Sequence, residues 1–411
     1  MKPPVWAGVA LVLISFDSTI ALGASGDITE AEAVRMFLAE SPQSRMVLLR
    51  AEAAGAEMSI GTEAPNPEVV WQVEDAAGVR DAFLTFQQAL PVTGLRAIRR
   101  ERAAAASAAT GLLAERDLRD AAHALRSAFH DVRYRDSVAG VLRRKEGELT
   151  RIVALLRVRE QEGEGSGYDV LRAEQELDAL RTELGRAEAA GMAARARFGS
   201  FFDGASAMAS AALAGDSASA ESSWTVEQAV AMALAERADL GALREAARNQ
   251  ELDVQAARRK RIPEPVLGAG WKRVEAPGES DTGFVASLMV PLPIFDPGRF
   301  TVARARAVSG QIDLRREILE REIRAEVASA IAMENAARQA AERYADVERR
   351  SGEIRRIAQL AWDEGEMGVH SLLDALEASF RMELQALAAR HEAKRERIEL
   401  DRVMGREVRP W

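Results

Sequence analysis

The sequence predicts a mainly α-helical chain built as a tandem repeat, each copy running helix, β-hairpin, long helix, helix. Three observations predict it. Of 411 residues 47% are apolar but only 5% aromatic, which suits long Ala/Leu helices and is poor in the bulky side chains that fill a compact core. Thr29-Glu-Ala-Glu-Ala-Val34 is echoed by Thr225-Val-Glu-Gln-Ala-Val230, and Pro67-Glu68 by Pro263-Glu264, all at an offset of 196. Beyond that the offset becomes 202, carrying Leu90-Pro91-Val92 onto Leu292-Pro293-Ile294 and Gly163-Glu164 onto Gly365-Glu366. Finally, apolar residues step by seven along stretches far longer than any globular helix needs.

Residues 1–24 read as a cleavable secretory signal: Lys2, an apolar run over 5–16, then the small residues Ala21, Gly23 and Ala24. The run is shorter than the roughly 20 residues a spanning helix requires. No later segment has 18 uncharged apolar residues in succession, so any membrane crossing must be made by strands. The absence of cysteine excludes disulfides, thiol chemistry and an acylated N-terminal cysteine.

The first repeat covers 25–202. It opens with a helix over 28–61, started by a Thr29/Glu32 capping box, and the second copy opens likewise at Thr225. Pro65 and Pro67, and Pro263 and Pro265, stop these helices because proline lacks the amide hydrogen. Strands are expected within about 68–90, at 68–74 and 82–90, with a tip at 76–80. Their counterparts fall within about 266–292, at 266–274 and 284–292, with a tip at 277–281. Alternation puts Ala82, Leu84, Phe86 and Leu90 on one face together with Phe284, Ala286, Leu288 and Leu292, while Thr85, Gln87 and Ser287 face the other way. Strands of about nine residues suit either a tilted bilayer crossing or a soluble hairpin packed on helices. In the first case Leu84, Phe86, Leu90, Phe284, Leu288 and Leu292 face lipid, and several chains must pool their strands, because open edges are not tolerated there.

Long helices follow, within 94–200 and 298–404, first over about 94–161 and 298–364 and then returning. At 1.5 Å per residue each outgoing rod is about 100 Å long. Leu118, Leu125 and Val132 step by seven, and Leu142, Leu149 and Leu156 resume after a change of phase; the second copy has Ile323, Ala330, Ala337 and Tyr344, then Val347, Ile354 and Ala361. Interrupted heptads predict a seam that moves to a new neighbour, as in a tube, although an ordinary two-stranded coiled coil also uses heptads. The returning helices carry Val170, Leu177, Leu184, Gly191 and Phe198, and Leu373, Phe380 and Leu387. Between the copies, 203–223 is a Gly/Ala/Ser-rich tract that reads as a flexible linker; the second repeat covers 224–405 and a short tail 406–411.

The signal, the duplicated halves, the Asn66-Pro67-Glu68 lead-in, Phe86-Gln-Gln-Ala-Leu-Pro91, and Gly163-Glu-Gly-Ser before Asp169-Val-Leu-Arg-Ala-Glu174 together resemble the TolC-like outer-membrane efflux proteins. The resemblance implies a homotrimer, four strands per chain closing one 12-stranded β-barrel in the outer-membrane lipid of a Gram-negative bacterium, continued into the periplasm as an α-helical tube. It implies a passive duct for small molecules or metal cations, working with a periplasmic adaptor and an inner-membrane pump. Asn66-Pro67-Glu68 looks most like the heavy-metal, resistance-nodulation-division branch. The family narrows its periplasmic end with acidic side chains where the returning helices begin: Asp374 matches such a position, and Asp169 is its acidic counterpart in the first copy. Here the pattern departs, with Ser371 where another acid could stand and Arg172 in the place equivalent to Asp374. Asp169 is equally readable as an ordinary helix-start charge. The turns at Gly163, Gly165 and Gly167, and at Gly365 and Gly368, lie where the family's adaptors dock.

Other functions find little support. With 64 acidic and 55 basic residues the chain is too negative for a duplex nucleic-acid partner. No nucleophile elbow, phosphate-binding Gly-Lys motif, metal-spaced His-Glu pair or cofactor fingerprint occurs, so no enzyme chemistry is expected. His123 and His130 share a helix face two turns apart, too far to bridge a metal directly, and are expected at the surface. The alternative to a duct is a soluble periplasmic coiled-coil adaptor or scaffold, which explains the heptads but not two hairpins with an alternating apolar face.

Overall fold

The structure, a computed structural model, describes residues 27–214, 224–295 and 298–406. The expected signal segment, the later part of the linker and the end of the tail lie outside the described residues. The first copy folds as α1 (Glu30–Glu40), α2 (Pro42–Ser59), β1 (Glu68–Ala76), β2 (Val79–Ala89), α3 (Leu95–Gln161) and α4 (Gly167–Gly199). A short α5 (Ala205–Ala209) follows, and then the same order returns as α6 (Val226–Glu236), α7 (Ala238–Arg259), β3 (Val266–Ala276), β4 (Glu279–Met289), α8 (Arg299–Asp363) and α9 (Val369–Val403).

Both capping boxes form. Thr29 Oγ1 accepts from the Glu32 amide at 3.2 Å while Glu32 accepts from the Thr29 amide at 2.9 Å, and Thr225 and Gln228 do the same at 3.3 and 3.2 Å. The single opening helix expected over 28–61 is instead two. Pro42 has no amide to donate and pushes Ser41 into extended backbone, and Ser41 Oγ then caps α2 by accepting from the Ser44 amide at 3.0 Å. The second copy breaks at Arg237 without any proline, at ψ 119°.

The four strands form one antiparallel sheet in the order β1-β2-β3-β4. The hairpin tips are tighter than expected: pairing continues through Asp75↔Arg80 and Glu275↔Ser280, leaving two-residue turns at Ala77-Gly78 and Pro277-Gly278. Gly78 and Gly278 take the positive φ (80° and 92°) that such turns require. At the other end, Leu90 and Leu292 fall beyond β2 and β4, because Pro91, Pro291 and Pro293 cannot donate to a ladder.

Two compact units arise, each drawing on both copies. One takes Leu48–Glu115 and Ala238–Arg321 and holds the sheet with the helix segments leading in and out of it. There Arg102 pairs with Asp253 at 2.7 Å, Thr93 Oγ1 donates to Glu264 at 2.6 Å, and Val302 and Ala305 pack on Ala257. The other takes Arg116–Arg237, Glu322 onward and the start of the chain. Its cores include Leu125, Phe129 and Val132 with α1 and Phe198, and Leu142, Leu149 and Leu156 with Leu177, Leu372 and Phe380. The phase change between Val132 and Leu142 thus marks where α3 exchanges one set of partners for another.

Two expectations fail here. Residues 203–214 are packed rather than flexible: Met208 is buried on α1, Ile28 exchanges backbone hydrogen bonds with Ala212 and Ala214 at 2.8 Å, and Arg45 pairs with Asp203. The heptad through Ile354 does not face inward either, since Ile354 is 56% exposed while Ser351, Ala358 and Trp362 are buried. The inward face is set by α9, whose Ser379 Oγ donates to the Ser351 carbonyl at 3.0 Å.

Candidate functional site

The sheet separates chemistry by face. Register aligns Trp71, Leu84, Trp271 and Phe284 in one row across all four strands, and Val69, Phe86, Ala269 and Ala286 in the next. Leu267 and Leu288 continue this face, and its side chains stand open: Trp71, Trp271, Phe284 and Leu288 are 57–74% exposed and Phe86 48%. Of the six residues assigned to lipid from the sequence, four lie here, while Leu90 and Leu292 lie past the strand ends. The reading missed Trp71 and Trp271, although alternation marks both.

The opposite face carries Glu68, Gln72, Glu74, Asp81, Lys272, Asp281 and Ser287 with Thr85 and Gln87, and Lys272 pairs with Asp81 at 2.5 Å. Gly268 and Gly270 also face this side. A Cβ at Gly270 would stand 2.0 Å from the Leu84 carbonyl oxygen, so only glycine lets β3 lie that close to β2.

The helix turns are glycine-built. Gly163 and Gly365 take φ of 79° and 78° as C-caps, and a Cβ at Gly165 would meet the Glu160 amide at 2.9 Å. Gly167 is the first residue of α4 and Gly368 the N-cap of α9. Just beyond, Asp169 is not an isolated charge: it lies 3.3 Å from His370 Nε2 at the start of α9. Arg172 Nη1 lies 3.0 Å from His370 Nδ1. With Arg172 donating to Nδ1, the Nε2–H of His370 donates a hydrogen bond to Asp169. Asp374, one turn past His370 on α9, is exposed on a groove lined by Lys145, Glu176, Glu183, Glu377 and Phe380. Lys145 pairs with Glu377 there.

His123 and His130 contradict their expected surface position, being 3% and 4% exposed. His130 Nε2 lies 3.0 Å from Glu30, which Arg126 also contacts at 2.5 Å and Lys394 at 3.7 Å. Burial alone would raise the Glu30 carboxyl, but the His130 hydrogen bond and the Arg126 charge outweigh it and hold it far below the usual carboxylate range. Burial pushes His123 down to about 4, and Arg126 beside it adds to the effect. His391 stacks on Tyr134 with ring centroids 4.4 Å apart. These clusters were invisible in the sequence because they join helices whose contacting residues lie 96 or more positions apart. Among the described residues no group of three His, Asp or Glu is arranged to hold a metal ion, and no helix is long and apolar enough to cross a membrane.

Residues 229–406 match the family model described as outer membrane efflux protein. The CmeC outer membrane channel of Campylobacter jejuni is 12% identical, with 92% of this chain and 85% of that one covered at a TM-score of 0.76. The outer membrane protein VceC of Vibrio cholerae is 14% identical, with 92% and 96% covered at a TM-score of 0.75. The MtrE outer membrane channel of Neisseria gonorrhoeae, solved in its open state, is 15% identical, with 92% and 89% covered at a TM-score of 0.71. No curated protein sequence matches the chain. The second half of the chain thus carries the sequence pattern of outer membrane efflux proteins, and the chain as a whole carries the fold of these channels.

Proposed function

We propose that three copies of this chain pool their hairpins into one twelve-stranded barrel in the outer membrane, and that their helices continue it as a periplasmic tube. The assembly is a passive duct of a tripartite efflux system, carrying small molecules or metal cations received from an inner-membrane pump through a periplasmic adaptor. The observation that carries this reading is the sheet: one face presents open rows of Trp, Phe and Leu, the other carries Gln72, Glu74, Asp81 and Lys272, and among the described residues the outer edges of β1 and β4 are unpaired. In lipid that arrangement is stable only when closed by further strands. The open apolar face also weighs against a soluble scaffold, since it would leave two tryptophans in water.

The duct performs no catalysis. Leu84, Phe86, Phe284 and Leu288 contact lipid, and Asp169 and Asp374 narrow the periplasmic opening, Asp169 through its link to His370 and Arg172. The turns at Gly163, Gly165 and Gly167, and at Gly365 and Gly368, receive the adaptor. The two halves, 25–202 and 224–405, descend from one duplicated unit, which the twofold element order supports. The test is purification from outer membranes followed by mass measurement in detergent and conductance in planar bilayers. Three chains per particle and stepwise conductance are expected. A monomer released by osmotic shock and soluble without detergent would sink the proposal.

A further inference from the structure

The two ends of the sheet carry opposite charge. At the hairpin end, residues 74–81 and 274–281 hold six carboxylates and a single base, Arg80. At the helix end, residues 91–100 and 258–263 hold seven bases and no carboxylate. Two of the seven are engaged within the chain: Arg96 pairs with Glu63 at 3.6 Å, and Arg259 donates to the Thr93 carbonyl at 2.6 Å. The other five, Arg99, Arg100, Arg258, Lys260 and Arg261, are exposed and have no ion-pair partner among the described residues.

These bases come from separate segments that the fold brings together. Strand β2 pairs with β3, which sets the start of α3 beside the end of α7, and Arg102 ties the two helices by pairing with Asp253 at 2.7 Å. Arg261 reaches the start of α8 as well, for a Cβ at Gly298 would stand 3.5 Å from its Cγ. There Arg299 adds a further exposed base. Neither α3 nor α8 has an acid in its first turn; Arg96 and Arg299 stand there instead. A helix N-terminus is the positive end of the helix dipole and favours acids, so these arginines concentrate positive charge against the local preference. An anion from outside the chain would relieve that conflict.

The same end is also apolar. Past β4 the chain runs as Val290-Pro-Leu-Pro-Ile-Phe295, where Leu292, Ile294 and Phe295 are 70–99% exposed. Val92 after β2 and Ile262 before β3 are exposed too. All five follow directly on strands whose rows of Trp271, Phe284 and Leu288 stand open. A soluble polyanion would neutralise the bases and leave these side chains in water. A neutral lipid would cover the side chains and leave the bases unpaired. An anionic lipid meets both needs, because its phosphate and its acyl chains lie at adjacent depths.

We propose that the helix end of the sheet is a binding collar for anionic phospholipid of the periplasmic leaflet. Arg99 and Arg100 of α3 and Arg258, Lys260 and Arg261 at the end of α7 hold the headgroup phosphate, and Ile294 and Phe295 meet the upper acyl carbons. The proposal deepens the duct reading and rests on it, since only in that reading does the helix end face the periplasm. Clusters of about four to eight basic residues at a membrane boundary recognise anionic lipid in this way. The collar fixes the depth of the sheet: the bases stay with the phosphates while the rows of Trp271 and Phe284 stay in hydrocarbon.

The test titrates the full chain, purified in detergent, with phosphatidylglycerol, phosphatidylcholine or lipid A, and counts bound lipid by native mass spectrometry. The wild type is expected to hold phosphatidylglycerol at least about tenfold more tightly than phosphatidylcholine, a preference that shrinks as salt is raised. The combined variant Arg258→Gln, Lys260→Gln, Arg261→Gln is expected to lose the preference, and Arg80→Gln at the hairpin end to keep it. Phe295→Ser is expected to weaken both phospholipids alike. The wild-type comparison needs no variant, so a variant that fails to fold leaves the test intact. A conducting particle that binds the two phospholipids equally overturns the collar and leaves the duct standing. Displacement of the lipid by inorganic phosphate alone, or preference for lipid A over phosphatidylglycerol, overturns it as well. A monomer soluble without detergent removes the duct reading together with the collar.

Discussion

The two compact units treat large apolar side chains in opposite ways. In the helical unit Leu125, Phe129, Leu142, Leu372 and Phe380 are no more than 1% exposed, whereas on the sheet Trp71, Trp271, Phe284 and Leu288 are 57–74% exposed. Both obey the periodicity of their backbone, seven in the helices and two in the strands. What differs is what covers each stripe. The helices bury their apolar stripe against other helices of the same chain, and the strands present theirs outward.

The comparison is sharpened most by truncating a helical core residue. Phe380 packs with Leu372 and Leu376 and lies under the Arg355 guanidinium at 4.6 Å. Phe380→Ala is expected to cost about 3–5 kcal/mol, read as a fall in the unfolding midpoint in detergent, with membrane insertion unchanged. If Trp271→Ala cost as much in the same assay, the two units would not differ as described.

The next largest effect belongs to the sheet. Leu84→Lys puts a charge in the middle of the open apolar row and is expected to cost about 2–4 kcal/mol in lipid vesicles. Gln72→Lys, on the polar face of the neighbouring strand, is expected to cost little. Equal losses from both would show that the two faces do not meet different media.

The smallest concerns acid. His123 titrates near 6.5 when unfolded but is pushed to about 4 in the folded helical unit, so on acidification the unfolded chain takes up the proton first. The stability this ring contributes is complete above pH 6.5 and is lost as pH falls toward 4, by at most about 3 kcal/mol. The sheet has no histidine. Denaturant midpoints between pH 7 and 4 should fall for the wild type and fall less for His123→Gln; identical slopes would remove His123 as the cause.

Local signals in the sequence were reliable. Both capping boxes, the ends of the outgoing helices and the returning-helix seam through Val170, Leu177, Leu184 and Phe198 were legible, because each depends on residues within a turn or two. So was the separation of the strand faces, which follows from alternation. Distant packing was not legible. His123 and His130 look polar in isolation and are buried because α1 and α9 close over α3. Ile354 looks like a seam residue, but the contacts of α9 rotate Ser351, Ala358 and Trp362 inward instead. The linker looks flexible by composition, yet Met208 and the bridge between Ile28 and Leu213 tie it to the opening helix.

The salt-bridged start of α1 also sets an order in time. Glu30 is held by Arg126, His130 and Lys394, and Arg126 in turn contacts Asp401 at 3.3 Å. The opening helix thus meets its first counter-charges, Arg126 and His130, about 100 residues downstream on α3, and its last, Lys394, only near the end of the chain. A chain released from its N-terminus can therefore seat α1 on α3 and α4 first, and the contact with Lys394, being the most distant, forms late. A chain clipped within its last helix keeps that seat but loses the ammonium beside Glu30 and the carboxylate beside Arg126.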